Sequence, residues 1–243
     1  MSKSTRPLPD WELVLSAAAR LQQFLPEAVL VGGTAAAIHA KHRFSRDADH
    51  VLTDLRDHFD EVLAQLESVA GWKTARVRRP VLILGSLDGI ETGIRQLIRS
   101  EPLETIAIDH EGERIIVPTQ AEILRIKGVL ILKRNATRDY LDFVALADRM
   151  GSEKVACALR SFDQLYPQEN EESALQQLQV QLSSAQPYDL EEDELGEYKN
   201  LDARWHDWGA VTAVCADLAA AIFDRMSDPG DECRDEDTLT GPH

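Results

Sequence analysis

Residues 31–51, VGGTAAAIHAKHRFSRDADHV, set Gly32-Gly33-Thr34 ahead of Asp47-Ala48-Asp49. This stretch most restricts what the chain can become. Side chains alternate along a strand, so Asp47 and Asp49 project from one face. Two neighbouring carboxylates repel each other unless cations lie between them. Mg²⁺ suits such oxygen ligands and leaves room for substrate phosphates in its shell. Two metals would clamp both the attacking and the leaving oxygen of a phosphoryl transfer. The glycines let a triphosphate approach the backbone, and the helix after them offers free N–H groups and a positive dipole end. Thr34 could add a hydroxyl contact. Each half also occurs in ordinary strand–turn–helix chemistry. The two in order, on strand, helix and strand, point to a phosphate cradle feeding a metal site.

Around this stretch the hydrophobic pattern predicts a helix over about 11–24 capped by Asp10, with Leu13, Ala17, Leu21 and Phe24 at helical spacing. AVLVGG reads as a short strand, TAAAIHAKH as a helix capped by Thr34, and DADHVL as a second strand. Residues 56–68 read as a helix with Phe59, Val62, Leu63 and Leu66 in one stripe. Two hairpins follow, turning at Asp88-Gly89 and at His110–Gly112. Thr119-Gln-Ala-Glu122 is a capping-box pattern, and Pro118 ends the strands before it. Helices are expected over about 120–134, 138–150, 152–165, 172–184 and 203–226. Strands come first and helices after, so the class is α+β, a mixed sheet with flanking helices followed by a helical C-terminal portion. The expected organisation is a core over 1–118, a helical portion over 119–226 completing the site, and a disordered acidic tail over 227–243.

Charge is divided unevenly. Residues 1–150 hold 20 Lys+Arg against 21 Asp+Glu, whereas residues 151–243 hold 6 against 21. Bulk acidity opposes non-specific nucleic-acid binding, but it sits in the C-terminal third. The first part keeps basic clusters at Arg76/Arg78/Arg79 and Lys133/Arg134/Arg138. Three scattered cysteines without CxxC argue against a disulfide framework or a structural zinc and suit a reducing cytosol. No run approaches the apolar length of a membrane span, and the N-terminal residues lack the apolar centre of a signal peptide. The expectation is a cytoplasmic protein with no membrane partner. His39, His42, His50 and His58 form no metal-ligand pattern and read as surface or supporting residues.

On the helix 120–134, Glu122, Arg125 and Lys133 share a polar face. Lys127 and Arg134 lie opposite, among Ile123, Leu130 and Ile131. Such cations must snorkel, pair, or face a polar ligand. Asp139 and Asp142 stand one turn apart on the next helix, where Asp139 also suits the helix dipole. Near the C-terminus, Trp205, Trp208, Thr212, Cys215, Leu218 and Ile222 make one stripe. Packing onto the domain is the ordinary reading of that stripe, and docking a partner is the alternative.

The stretch GGTAAAIHAKHRFSRDADH resembles the signature of the nucleotidyltransferase (polymerase-β-like) superfamily, and more narrowly the AbiEii/AbiGii-type toxin family. Gly32, Gly33, Thr34, Arg43, Ser45, Asp47 and Asp49 carry the first match; Lys127, Arg134, Arg138, Asp139 and Asp142 carry a second, in KGVLILKRNATRDYLDF. The resemblance implies a mixed nucleotidyltransferase sheet, Mg²⁺ (or Mn²⁺) on Asp47 and Asp49, and an NTP held by Gly32, Gly33, Thr34, Arg43, Ser45, Lys127 and Arg134. It implies catalytic roles for Asp47, Asp49, Lys127, Asp139 and Asp142. Lys127 would neutralise transition-state charge. One of Asp139 and Asp142 would serve near the acceptor or as a base, while the other orients a cation. It also implies RNA, including a tRNA 3′ end, as acceptor in toxin members, and an antitoxin protein as partner. Many nucleotidyltransferases carry a third carboxylate on a central strand. In IETGIRQLI no aspartate stands mid-strand, and Glu91 lies early. That departure leaves room for an inactive or unusual enzyme, a catalytically degenerate interaction module among them. A nucleotidyltransferase acting on a small molecule or protein hydroxyl is the other alternative.

Overall fold

The computed structural model describes residues 11–169, 171–198 and 200–227. Asp10 and the tail beyond 227 lie outside them, so the expected cap and the expected acidic tail have no structural account here. Chain order runs α1 (Trp11–Phe24), β1 (Val29–Leu30), α2 (Gly32–Ala40), β2 (Asp47–Leu52), α3 (Phe59–Ser68), β3 (Trp72–Arg78), β4 (Leu82–Leu87) and β5 (Ile90–Gln96). A hairpin of β6 (Thr105–His110) and β7 (Glu113–Pro118) follows. Then come α4 (Gln120–Arg134), α5 (Thr137–Met150), α6 (Ser152–Leu159), α7 (Phe162–Leu165), α8 (Ala174–Ser183) and α9 (Trp208–Ser227). The fold is α+β, as the pattern predicts.

Five strands form a mixed sheet in the order β1-β2-β5-β4-β3. The parallel pair β2–β5 lies at its centre, with Asp47 opposite Glu91, Asp49 opposite Gly93 and Val51 opposite Arg95. One face is apolar. Leu52, Ile83, Leu87 and Ile94 pack there with Leu21 of α1 and Phe59 and Leu66 of α3. Alternation therefore sends Asp47, Asp49, Glu91 and Arg95 to the other face. A second core joins Ile123, Leu124, Tyr140, Phe143, Leu178 and Val211 of the later helices. Ala35, Ala36 and Ala40 of α2 belong to this helical core, although β2 belongs to the sheet.

Several local readings need correction. Helix α2 begins at Gly32, with Val31 and not Thr34 at its N-cap. Strand β3 is absent from the sequence reading, since KTAR interrupts its apolar pattern at an exposed edge. The stretch 152–165 is two helices, and 203–226 is a 3-10 turn (Ala203–His206) followed by α9. Thr119 caps α4 by accepting from the Glu122 amide at 3.1 Å. Glu122 does not reach back to close the capping box. It is buried and held by Arg99 and Arg125, so the expected polar face is partly an interior ion network. Trp205, Trp208, Cys215, Leu218 and Ile222 are buried in the helical core, which is the ordinary reading of the C-terminal stripe. Cys215 is free and buried.

Candidate active site

A cavity of about 1070 Å³ lies on the polar face of the sheet, beneath α4 and α5. Asp47, Asp49 and Glu91 form its floor, and Lys127, Arg134 and Arg138 reach it from the helices.

The glycine turn shapes one end. Gly32 adopts φ +75, a conformation that glycine takes at little cost. A Cβ on Gly33 would lie 2.6 Å from Arg43 Nη2 and 2.9 Å from Ser45 Oγ, so Gly33 lets both side chains close onto the turn. The cap residue Val31 supplies no side-chain bond to the leading amides of α2. Those amides and the helix dipole are a ready anion site. Thr34 does not belong to it. It is buried and its hydroxyl donates to the Asp47 carbonyl at 2.5 Å, which fastens α2 to β2. The expected phosphate contact of Thr34 is thereby corrected.

Burial, together with the neighbouring charges of Asp49 and Glu91, holds Asp47 above the usual carboxylate range; Arg138 and Arg46 oppose the shift. A group so placed gains by sharing a cation. At Gly93 a Cβ would lie 2.9 Å from Asp49 Oδ1, so the bare position leaves space for that carboxylate. Arg95 Nη2 stands 3.9 Å from the same oxygen. All the donors are hard oxygens, the kind Mg²⁺ prefers. Among the described residues no three acidic, His or Cys side chains close into a metal cage, and Mg²⁺ ordinarily draws much of its shell from water and phosphate. Asp47 and Asp49 therefore fit the group. Glu91, early on its strand, stands beside Asp47 on the same face and lines the cavity. The parallel register starts at Asp47 and Glu91, so the first residues of both strands are neighbours.

Asp139 and Asp142 occupy a different environment. Both are fully buried. Asp142 accepts from His42 at 2.8 Å, from Arg43 at 2.7 and 3.0 Å, and pairs with Lys127 at 2.6 Å. Asp139 accepts from Arg134 Nη2 at 2.7 Å and Lys127 at 3.4 Å. Burial alone pushes Asp142 up, but Arg43, Lys127 and His42 together hold it well below the usual carboxylate range. A carboxylate this stabilised as an anion is a poor base. Both aspartates hold cations in the structure, and for Asp142 this speaks against the base role expected of one of the two. Lys127 neither snorkels nor waits unpaired. It is 1% exposed and lines the cavity between two aspartates. His42, expected at the surface or in support, is a buried partner of Asp142. His50 is also buried, with Nδ1 2.8 Å from the Ala48 carbonyl.

Arg138, Glu91 and Tyr198 line the cavity and were not among the expected site residues. Arg138 had a sequence signal in the second motif. Tyr198 had none, because it follows a short 3-10 turn, Glu192–Glu197, that carries no hydrophobic period.

A mixed sheet with paired carboxylates on its open face, a helix start with free amides, and cations held by two buried aspartates are the arrangement expected of a nucleotidyl-transferring class of protein. The family model described as "Nucleotidyl transferase AbiEii toxin, Type IV TA system" matches residues 13–211, and the chain belongs to that family. Relatives include the heme uptake protein MmpL11 of Mycobacterium tuberculosis, 28% identical over 233 residues, which are 90% of this chain and 23% of that protein. The mycolic acid-containing lipids exporter MmpL11 of Mycolicibacterium smegmatis is 34% identical over 129 residues, 52% of this chain and 13% of that one. The chain thus spans about a quarter or less of the length of these curated relatives. Among solved structures, JHP933 from Helicobacter pylori aligns with TM-score 0.47 and 16% identity over 91% of this chain and 95% of that one. The antibiotic-resistance factor ANT(2″)-Ia aligns with TM-score 0.48 and 11% identity over 63% and 91%. No helix among the described residues is long and apolar enough to cross a membrane.

Proposed function

We propose that this chain transfers a nucleotidyl group from an NTP to an RNA hydroxyl, with Mg²⁺ or Mn²⁺ held by Asp47 and Asp49. The observation that carries the reading is the register. It places Asp47, Asp49 and Glu91 on one open face, opposite a cation lattice fixed from behind. The bound metal would polarise phosphate oxygens and lower the cost of charge developing on them. The amides of Gly32 and Gly33 would hold the triphosphate, with Ser45 beside them. Lys127 and Arg134 would neutralise charge as the bond from the α-phosphorus to the leaving oxygen breaks. The acceptor oxygen forms the new bond to that phosphorus, and pyrophosphate departs. Glu91, exposed at the floor of the cavity, would take the proton of the acceptor hydroxyl. Asp139 and Asp142 act behind them, keeping Lys127, Arg134 and Arg43 charged and in place.

RNA as acceptor rests on the toxin family, and an antitoxin protein is the partner expected from it. The reading places the reaction in the cytoplasm, and the sheet-bearing part with the helical part 119–226 as two halves of one site.

Melting with and without Mn²⁺ plus NTP tests the first half of this reading. At a ligand concentration 100 times its Kd the native state gains about 2.7 kcal/mol, or roughly 5–11 °C at this chain length. Asp47→Asn/Asp49→Asn should lose that gain while folded. An undiminished shift in the double variant would place the ligand elsewhere. Transfer of label from NTP to total RNA tests the second half.

A further inference from the structure

The floor of the cavity does not end at Arg95. The open face of the sheet continues across β4 to the edge strand β3. Pairing sets Asp49, Gly93, Leu84 and Arg76 in one row, and Val51, Arg95, Leu82 and Arg78 in the next. Lys73 lies opposite Ser86, which lies opposite Glu91. Val77 turns the other way and packs with the apolar core, so Arg76 and Arg78 point to the open side. A bulge between Thr74 and Arg76 keeps Lys73 on that side as well. Lys73, Arg76, Arg78 and Arg95 are all exposed. Lys73, Arg76 and Arg78 have no ion-pair partner among the described residues. Arg79, next in sequence, differs: it pairs with Asp60.

In a chain of net charge −16, unpaired cations held in rows on one open face are a local exception. Ala75 and Ser86 line the cavity itself, so the surface is continuous with the carboxylates. Its side chains are cations between small and aliphatic residues, and β3, β4 and β5 carry no exposed aromatic ring for a base to stack on. Such a surface holds phosphates and leaves bases unread.

We propose that the open face from Arg95 across β4 to Lys73, Arg76 and Arg78 is the track that holds the acceptor RNA strand by its phosphates. It delivers the reacting hydroxyl to the carboxylates. This rests on the reading of RNA as acceptor and adds where the strand lies. Arg76 and Arg78 stand about 6.6 Å apart along the strand, at roughly 3.3 Å per residue. Contacts of this kind position the strand without choosing its sequence.

The test uses the full chain and the variant K73Q/R76Q/R78Q, which keeps much of the aliphatic stems. Binding of a labelled single-stranded RNA oligonucleotide is followed by anisotropy from 0.05 to about 1 M salt. Three phosphate contacts at about 0.7 per contact predict a log–log salt slope shallower by roughly two in the variant. Relative to 1 M, that is about a hundredfold weaker binding at 0.1 M. The Mn²⁺- and NTP-dependent melting shift should stay as in wild type, because the nucleotide cradle is untouched. Wild-type RNA affinity and slope in the variant would overturn the proposal. So would wild-type protein that shows the nucleotide shift yet binds no RNA; the nucleotide site would then stand without the track. If the variant keeps RNA but loses binding to polyglutamate, the surface reads an acidic polypeptide and the proposal also falls. Loss of the nucleotide shift in wild type marks failure of the underlying reading instead, and takes the proposal with it.

Discussion

Lys127→Met separates the buried lattice from a mere surface charge. The Met side chain keeps most of the aliphatic stem, so packing changes little. Lys127 Nζ, however, sits 2.6 Å from Asp142 and 3.4 Å from Asp139, with both carboxylates fully buried. Removing one partner of a buried pair costs about 3–5 kcal/mol, because the remaining charge loses its compensation. Asp142 keeps Arg43 and His42, and Asp139 keeps Arg134. The expected loss is therefore near the lower bound, about 3 kcal/mol, or roughly 6–12 °C in melting temperature. The acid limb gives an independent readout. Asp142 is depressed, so its stabilisation is present above the ordinary carboxylate pKa near 3.9 and is lost as pH falls through the folded value. Without Lys127 one cause of that depression disappears, and the acid-unfolding midpoint should move to higher pH. Transfer, measured well below both melting temperatures, should fall by roughly 10²–10³. A variant within about 2 °C of wild type, with an unmoved acid limb, would refute the claim that Lys127 neutralises both aspartates.

Glu91→Gln should keep the Mn²⁺- and NTP-dependent melting shift but lose most transfer to RNA; unchanged transfer would remove Glu91 as the proton acceptor. Gly93→Ala places a Cβ 2.7 Å from Leu84 Cδ2 and 2.9 Å from Asp49 Oδ1. It should cost about 1–3 kcal/mol and displace the Asp49 carboxylate, weakening the nucleotide shift in the same melting experiment. Burial lowers His50 from 6.5 to about 4. The native state therefore favours neutral His50, and stability falls as pH drops from about 6.5 to 4, by up to roughly 3 kcal/mol. Urea unfolding of wild type and His50→Leu at pH 7 and pH 4.5 should show this loss shrinking in the variant; an equal loss in both would exclude His50.

What the sequence discloses and what it hides divide along physical lines. Asp47 and Asp49 are legible because strand alternation is local: two residues decide the face. The same rule put Glu91 on a face of its own strand, but not beside Asp47. That depends on the parallel register, a long-range pairing. Lys127 was legible as an anomaly in an apolar stripe. Its partners were named among the candidates, but their role was not, because whether a carboxylate accepts protons or only compensates cations depends on burial. Thr34 misled because a hydroxyl near a glycine turn serves equally well as a strap. Strand β3 escaped because an edge strand facing solvent needs few apolar residues.

The site joins groups that ionise for opposite reasons. Asp47 is crowded by acids and is held above its ordinary range, so protonation or a cation relieves it. Asp142 is crowded by bases and is held far below, so nothing further is gained by giving it a metal. The two sets stand on different elements, one on the strands β2 and β5 and one on the helices α4 and α5. Helix α2 connects them: its alanines are buried in the helical core, while Thr34 is tied to the Asp47 backbone. Breaking that strap should therefore shift the carboxylates relative to the cations without unpairing either set. Thr34→Val nearly preserves shape but removes the donor and leaves the part-buried Asp47 carbonyl short of one partner, a loss of about 1 kcal/mol. If α2 registers the two halves, the variant should also bind NTP more weakly, while its acid-unfolding limb, set by Asp142, stays where it was once the uniform loss of stability is subtracted. If nucleotide affinity is untouched and only stability drops, Thr34 merely fills a hydrogen bond, and alignment of the two sets must come from elsewhere in the fold.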